Sequence, residues 1–150
     1  VMFGRMENDA RILNLPYRRE RVMVLVPRRH PWTGRKDLRI AELQDQAFVF
    51  REARSTARAA FEAALDTAGV HVRPAMVLDS REAIREAVAI GIGLGYVAEG
   101  ELIPTERVRA VPVSDAEMYV NFHIACLRSR AERPLIRAFL ETAQTHANWR

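Results

Sequence analysis

Apolar residues in this chain recur with two different periods, and the two alternate along its length. Arg21 to Val26 (RVMVLV) is nearly continuous and rich in β-branched residues, which predicts a buried strand stopped by Pro27. Pro27 to Asp37 reads as a loop, Ile40 to Gln44 as a short helix and Ala47 to Phe50 as a second strand. From Thr56 to Ala68 the period changes. Ala57, Ala60, Phe61, Ala64, Leu65 and Ala68 form one helical stripe, and Gly69 ends it. Val72 to Leu78 is a third strand. The next helix sets Ile84, Ala87 and Val88 against Arg81, Glu82, Arg85 and Glu86. Asp79 followed by Glu82 reads as its capping box, with Ser80 as an alternative cap. Gly91 stops this helix, and Gly93 and Gly95 let a strand from Leu94 to Val97 pass close to its neighbours.

Val108 to Val113 and Tyr119 to Leu127 are predicted as later strands. In the second, Val120, Phe122, Ile124 and Cys126 face one way, Asn121 and His123 the other. Pro134 opens a last helix with Leu135, Ile136, Phe139, Leu140 and Ala143 on its buried face. Val1 to Phe3 reads as the end of an apolar strand, as expected of a segment of a larger fold. Such alternation predicts an α/β chain with a mostly parallel or mixed sheet and helices on both sides. The glycines at 91, 93 and 95 follow a helix and open a strand, so they are not a dinucleotide-binding fingerprint, which has the reverse order.

Composition narrows the classes. The chain has 150 residues, 49% hydrophobic and 28% charged, as expected of a soluble globular domain with its own core. Its single cysteine, Cys126, excludes an internal disulfide and fits a reducing compartment. No apolar run reaches the roughly 20 residues that span a bilayer, and no signal peptide is visible. The net charge of +4 comes from arginines: Arg18, Arg19 and Arg21, then Arg28 and Arg29, then Arg35. Such clusters serve nucleic acid or anionic ligands, or simply form a solvated surface. The absence of interleaved aromatic residues favours the solvated surface. His30, His71, His123 and His146 show no metal-ligand spacing, so neither metal nor cofactor is expected. There is no G-x-S-x-G or H-E-x-x-H motif, and Cys126 lies within a strand, so no catalytic residue is nominated.

Arg21 to Val26 is followed by His30-Pro31, then Ile40-Ala41-Glu42-Leu43, Arg51-Glu52, Ser55 and Arg58. Ser80-Arg81-Glu82-Ala83-Ile84, Val88, Gly91-Ile92-Gly93 and the closing helix after Pro134 complete the series. In this order and spacing the chain resembles the effector-binding region of LysR-type transcriptional regulators. The resemblance implies a fold like the type 2 periplasmic binding proteins: two hinged α/β subdomains with the effector in the cleft, the first subdomain incomplete here. Residues 21–127 would form the second subdomain, and 1–20 with 128–150 parts of the first. It also implies a cytoplasmic homo-oligomer, with DNA bound only through an N-terminal winged helix-turn-helix that this chain does not contain. The stretch around Ser80-Arg81-Glu82-Ala83 most resembles the branch associated with aminoethylphosphonate catabolism. The chain departs from the common pattern at Arg54, often glycine in the family, and at Ala57, often threonine.

Candidate chemistry gathers at two strand-to-helix turns. Ser55 and Thr56 open one helix, flanked by Arg54 and Arg58, and Ser80 and Arg81 open the next. A helix N-terminus carries unpaired N–H groups and about half a positive charge, which suits an anion. The same serines would also serve as plain N-caps. In the fold implied by the resemblance both turns open onto one cleft, which Tyr96 is also expected to reach. There Arg5, after Gly4, stands where some relatives place an arginine against an effector carboxylate. A regulatory module sensing a small anion, carboxylate or phosphonate, is the expected function. The alternatives are a periplasmic solute-binding protein for a small anion and, with the least support, an enzyme.

Overall fold

The computed structural model describes the backbone of residues 2–4 and residues 8–147. The chain divides into two compact units, residues 1–20 with 121–150, and residues 21–120. Two strands, β2 (Ile12–Pro27) and β7 (Tyr119–Leu127), run from one unit into the other.

The first unit contains β1 (Met2–Gly4), antiparallel to β7 with Phe3 opposite Ile124. Helix α3 (Pro134–Thr145) follows a short 3₁₀ turn at Arg128–Arg130. The core of this unit is Ile124, Cys126 and Leu140, against which Leu13, Leu15, Tyr17, Ile136 and Ala143 pack. The helix begins at the predicted Pro134, but its predicted buried face is only partly covered. Leu135 is 84% exposed and Phe139 49%, leaving Leu140 as the one buried side chain of α3. The predicted alternation of β7 also fails after Asn121. His123 and Ala125 are buried together with Ile124 and Cys126, because both faces of this stretch are covered. Residues 121–127, which the resemblance implies for the second subdomain, group here with residues 1–20 and 128–150.

In the second unit, β2 lies between β5 (Gly95–Ala98) and β6 (Val108–Pro112), antiparallel to both. Val22, Val24 and Val26 are fully buried there. Strand β2 starts at Ile12 rather than Arg21. Pro16 and the Arg18-Arg19-Glu20 run mask the alternation of Leu13, Leu15 and Tyr17. Strand β3 (Ala47–Arg51) pairs in parallel with β4 (Arg73–Leu78), with one register irregularity after Phe48. On its other side β3 meets Leu94: the Val49 N–H donates to the Leu94 carbonyl at 2.7 Å, and the Leu94 N–H to that of Ala47 at 2.8 Å. Leu94 therefore serves β3, and β5 begins one residue later than its apolar run predicts. The result is a mixed sheet, as the alternation of elements implies.

Helices α1 (Thr56–Ala68) and α2 (Arg81–Ala89) cover this sheet. Phe61 of α1 sits among Phe48, Phe50 and Tyr96, while Ile84, Ala87 and Val88 of α2 join Leu25, Val49, Val97 and Val108. Two glycines make this closeness possible. A Cβ on Gly93 would stand 2.9 Å from the Ala47 carbonyl oxygen, and one on Gly95 2.9 Å from Val88 Cγ2.

Candidate functional site

Because β3 and β4 are parallel and end together, Arg51 opposite Leu78, the turns that follow them emerge at the same edge. Each turn leads into a helix N-terminus. In open α/β sheets this carboxyl edge is where ligands bind.

Both helices are capped by the serines the sequence nominates. Ser55 Oγ accepts the Arg58 N–H at 3.3 Å, and Ser80 Oγ accepts the Ala83 N–H at 3.0 Å. Both serines have extended backbones, as N-caps require. Ser80, not Asp79, is thus the cap of α2. Glu82, at the second helical position, falls one residue short of a capping box with Ser80. Its carboxyl is held below the usual range by its own backbone N–H and by the Ser80 hydroxyl, with Arg85 and Arg81 nearby. A hydroxyl that accepts an N–H keeps its own proton to donate, so capping and anion binding are compatible at Ser55, whereas the Ser80 proton is directed to the Glu82 carboxyl.

The guanidinium groups at this edge are mostly engaged. Arg51 grips Glu52 through Nε and Nη2 at 2.8 and 2.9 Å, and Glu52 is lowered below the usual carboxylate range chiefly by that contact. Arg58 donates to the Arg51 carbonyl at 2.8 Å and to Glu62 at 2.9 Å, with its guanidinium 5.2 Å from the centre of the Phe50 ring. Arg81 makes a two-point contact with Glu101, its Nε lying 2.8 Å from Oε2. Arg54 is exposed and, among the described residues, has no hydrogen bond or ion pair. Thr56, the first residue of α1, is half-buried.

Tyr96 belongs to the core under this edge rather than to its surface. It is 3% exposed, and its hydroxyl accepts the Arg51 N–H at 3.0 Å. Burial pushes its phenol up to about 12. Arg5 lies outside the described residues.

Between these groups is a small cavity of about 10 Å³, lined by Arg51, Ala57, Arg81, Tyr96 and Glu101 among others. That is about the space of one water molecule. A neighbouring cavity of about 40 Å³ shares Arg81 and Glu101 and adds Glu82, Arg85 and Ile103. Sequence reasoning nominates the serines through their capping pattern but misses Arg51, Glu52 and Glu101 as site residues. Arg51 is legible as the last residue of a strand before a helix turn. Glu101 carries no signal, since it reaches Arg81 only through the tertiary fold.

Among the described residues, no three His, Cys, Asp or Glu side chains are grouped to hold a metal, and no helix is long and apolar enough to cross a membrane.

Comparison with known proteins places this geometry. The HTH-type transcriptional regulator CysL of Bacillus subtilis is 30% identical over 96 residues, covering 64% of this chain and 31% of that protein. The RuBisCO operon transcriptional regulator of Allochromatium vinosum is 27% identical over 129 residues, 84% of this chain and 43% of that one. The chain thus spans less than half the length of these relatives. Among solved structures, the regulatory domain of CcmR from Synechocystis PCC6803, in complex with 2-PG, superposes with a TM-score of 0.82 at 22% identity. The match covers 97% of this chain and 71% of that one. The effector binding domain of QuiR, in complex with shikimate, gives a TM-score of 0.80 at 16% identity, over 96% and 69%. At such identities these likenesses speak for the fold. The family model described as the LysR substrate binding domain matches residues 1–148, and the chain belongs to that family.

Proposed function

We propose that this chain is the effector-sensing portion of a LysR-type transcriptional regulator, and that it binds the acid group of a small metabolite at the carboxyl edge of β3 and β4. The observation that carries this reading is the pair of serine-capped helix N-termini side by side at that edge, with Arg51, Arg58 and Arg81 among them. Two positive helix ends, the Ser55 hydroxyl and several guanidinium groups favour a carboxylate, sulfate or phosphonate over a neutral ligand. The ligands of the CcmR and QuiR domains support a small-molecule effector. The relatives' names support transcriptional regulation.

In this reading Ser55, Thr56, Ser80 and Arg81 take the acid group, with Arg54 and Arg58 beside them. Arg5, from the stretch outside the described residues, is proposed as a further contact. Effector binding shifts the populations of the regulator's conformations, and a homo-oligomer in the cytoplasm converts that shift into altered DNA contact by a separate domain.

A thermal-shift titration with small carboxylates, sulfate, phosphate and aminophosphonates tests the reading. A saturable rise with one of them, reduced in the Ser55→Ala, Ser80→Ala double variant beyond its loss of stability, is expected. Ligand at about 100 times its dissociation constant stabilises by about 2.7 kcal/mol. No response across the panel would reduce the two serines to helix caps.

A further inference from the structure

We infer that the opposite edge of the second unit is a sequence-independent contact for the phosphate backbone of duplex DNA. Leu94, just before β5, bridges in parallel to Phe48 of β3, so the amino ends of these two strands lie together. Gly95, at that end of β5, faces Leu25, and β2 runs on beyond it to Pro27. Helix α2 starts at the candidate site with Arg81 and finishes at this far edge with Ala89. Here Pro27, Arg28, Arg29, Ala89, Glu106 and Arg107 line an open groove of about 530 Å³. The inference stands apart from the anion reading, whose residues lie at the other end of the strands.

Arginines are held differently at the two edges. At the carboxyl edge Arg51, Arg58 and Arg81 each meet a glutamate. In and beside the groove they rest on carbonyls, which fix a guanidinium group without cancelling its charge. Arg28 Nη1 donates to the Glu106 carbonyl at 3.1 Å, and Arg109 Nη1 to those of Thr105 and Val108 at 2.6 and 3.1 Å. Each keeps further N–H donors for a partner. Arg29 has no hydrogen bond or ion pair among the described residues. Arg107 pairs with Glu86, but both side chains are more than half exposed, so the pair opens at little cost. Arg28, Arg29, Arg107 and Arg109 thus outnumber Glu86 and Glu106 by two. The negative end of α2 is muted, because the carbonyls of Glu86, Ala87 and Val88 accept the N–H groups of Ile90, Ile92 and Gly91.

A metabolite site is enclosed and mostly apolar. This groove is open, and its apolar wall is only Pro27 and Ala89. It recognises charge and little else. One exposed charge contact contributes little alone, whereas a polyanion engages several guanidinium groups together and releases its counterions. Duplex DNA carries one negative charge per about 1.7 Å of axis, twice the density of an extended peptide with an acid at every residue. Among the described residues no aromatic side chain lines the groove, so unstacked bases have no platform and a duplex is favoured over a single strand. Such a contact reads no sequence. It adds to the operator recognition implied for a separate domain.

Fluorescence anisotropy of the whole chain with two labelled duplexes of unrelated sequence tests this, between about 50 and 200 mM salt. The expected result is equal affinity for both, with log K falling against log salt at a slope of about −3, or about −0.9 per engaged phosphate. Arg28→Gln with Arg29→Gln should weaken binding about tenfold and bring the slope to about −1. Arg29→Gln alone, which breaks no contact among the described residues, should take about 1 from the slope. Arg18→Gln with Arg19→Gln removes the same charge from the first unit and should leave affinity and slope nearly unchanged. No binding at the lower salt overturns the inference. An equal loss in the Arg18, Arg19 variant also overturns it, by making the attraction diffuse. So does a preference for one duplex, or equally tight binding of a single strand or of polyglutamate. Displacement of the duplex by inorganic phosphate at matched ionic strength assigns the groove to small phosphates and overturns it too.

Discussion

Tyr96 stacks on Phe61 with ring centroids 4.5 Å apart and planes inclined by 20°. The contact ties β5 to α1 directly beneath the N-terminus that Ser55 caps, so the floor of the candidate site is an aromatic layer with one polar atom. That atom, the Tyr96 hydroxyl, takes the N–H of Arg51, the last residue of β3. Tyr96→Phe keeps the stack and strands the Arg51 N–H. The expected loss is about 1–2 kcal/mol by urea denaturation, without loss of the fold.

The same phenol sets a pH dependence. Its value in the folded chain, about 12, lies above the ordinary 10, and burial is the main cause. A raised value favours the protonated form in the fold. The contribution is fully present below pH 10 and is lost as pH rises towards 12. Two units correspond to roughly 2–3 kcal/mol. An ultraviolet titration should show Tyr96 ionising together with unfolding. In Tyr96→Phe the alkaline midpoint should depend less steeply on pH.

Gly93 and Gly95 separate two kinds of crowding. An alanine at 95 meets methyl groups of Val88 and Ile84, which shift at a cost of about 1–3 kcal/mol. An alanine at 93 meets the Ala47 carbonyl oxygen, which is fixed by the Leu94 N–H. Gly93→Ala should therefore lower the unfolding midpoint more than Gly95→Ala. The reverse order would show that β3 yields more readily than the core.

The exposed residues of α3 give a contrast in one helix. Leu135→Lys, at a position 84% exposed, should change stability by no more than about 0.5 kcal/mol. Leu140→Ala, which empties a place in the first unit's core, should cost about 2–4 kcal/mol. Chemical denaturation of the two variants checks both figures.

Much of this was legible because some stretches obey one strict rule. Helix α1 begins at Thr56 and ends at Ala68, where its stripe and its glycine put the ends, and β7 has its predicted bounds. Periodicity fails where tertiary cover decides. Met76 and Val77, inside the third apolar strand, are 41% and 57% exposed, which the strand pattern alone does not tell. His123 reads as outward-facing but is buried. At the site, serine capping is a local code and could be read, whereas Arg81 and Glu101 are joined across 20 residues by the fold alone.

One consequence of the chain's path concerns the order in which it is made. All of residues 21–120 belong to one uninterrupted stretch, so the unit holding the candidate site has every contact it needs once Val120 has left the ribosome. The other unit is split between the two ends of the chain. Leu13, Leu15 and Tyr17 must wait for Ile124, Cys126 and Leu140, more than a hundred residues later. During that interval their described core partners Ile124, Cys126 and Leu140 are still to be made. Closing so long a loop is slow, and exposed strands invite association with other chains. Pro16 and the charged run Arg18-Arg19-Glu20, which hid the first half of β2 from pattern reading, are the kind of residues that keep a waiting strand soluble.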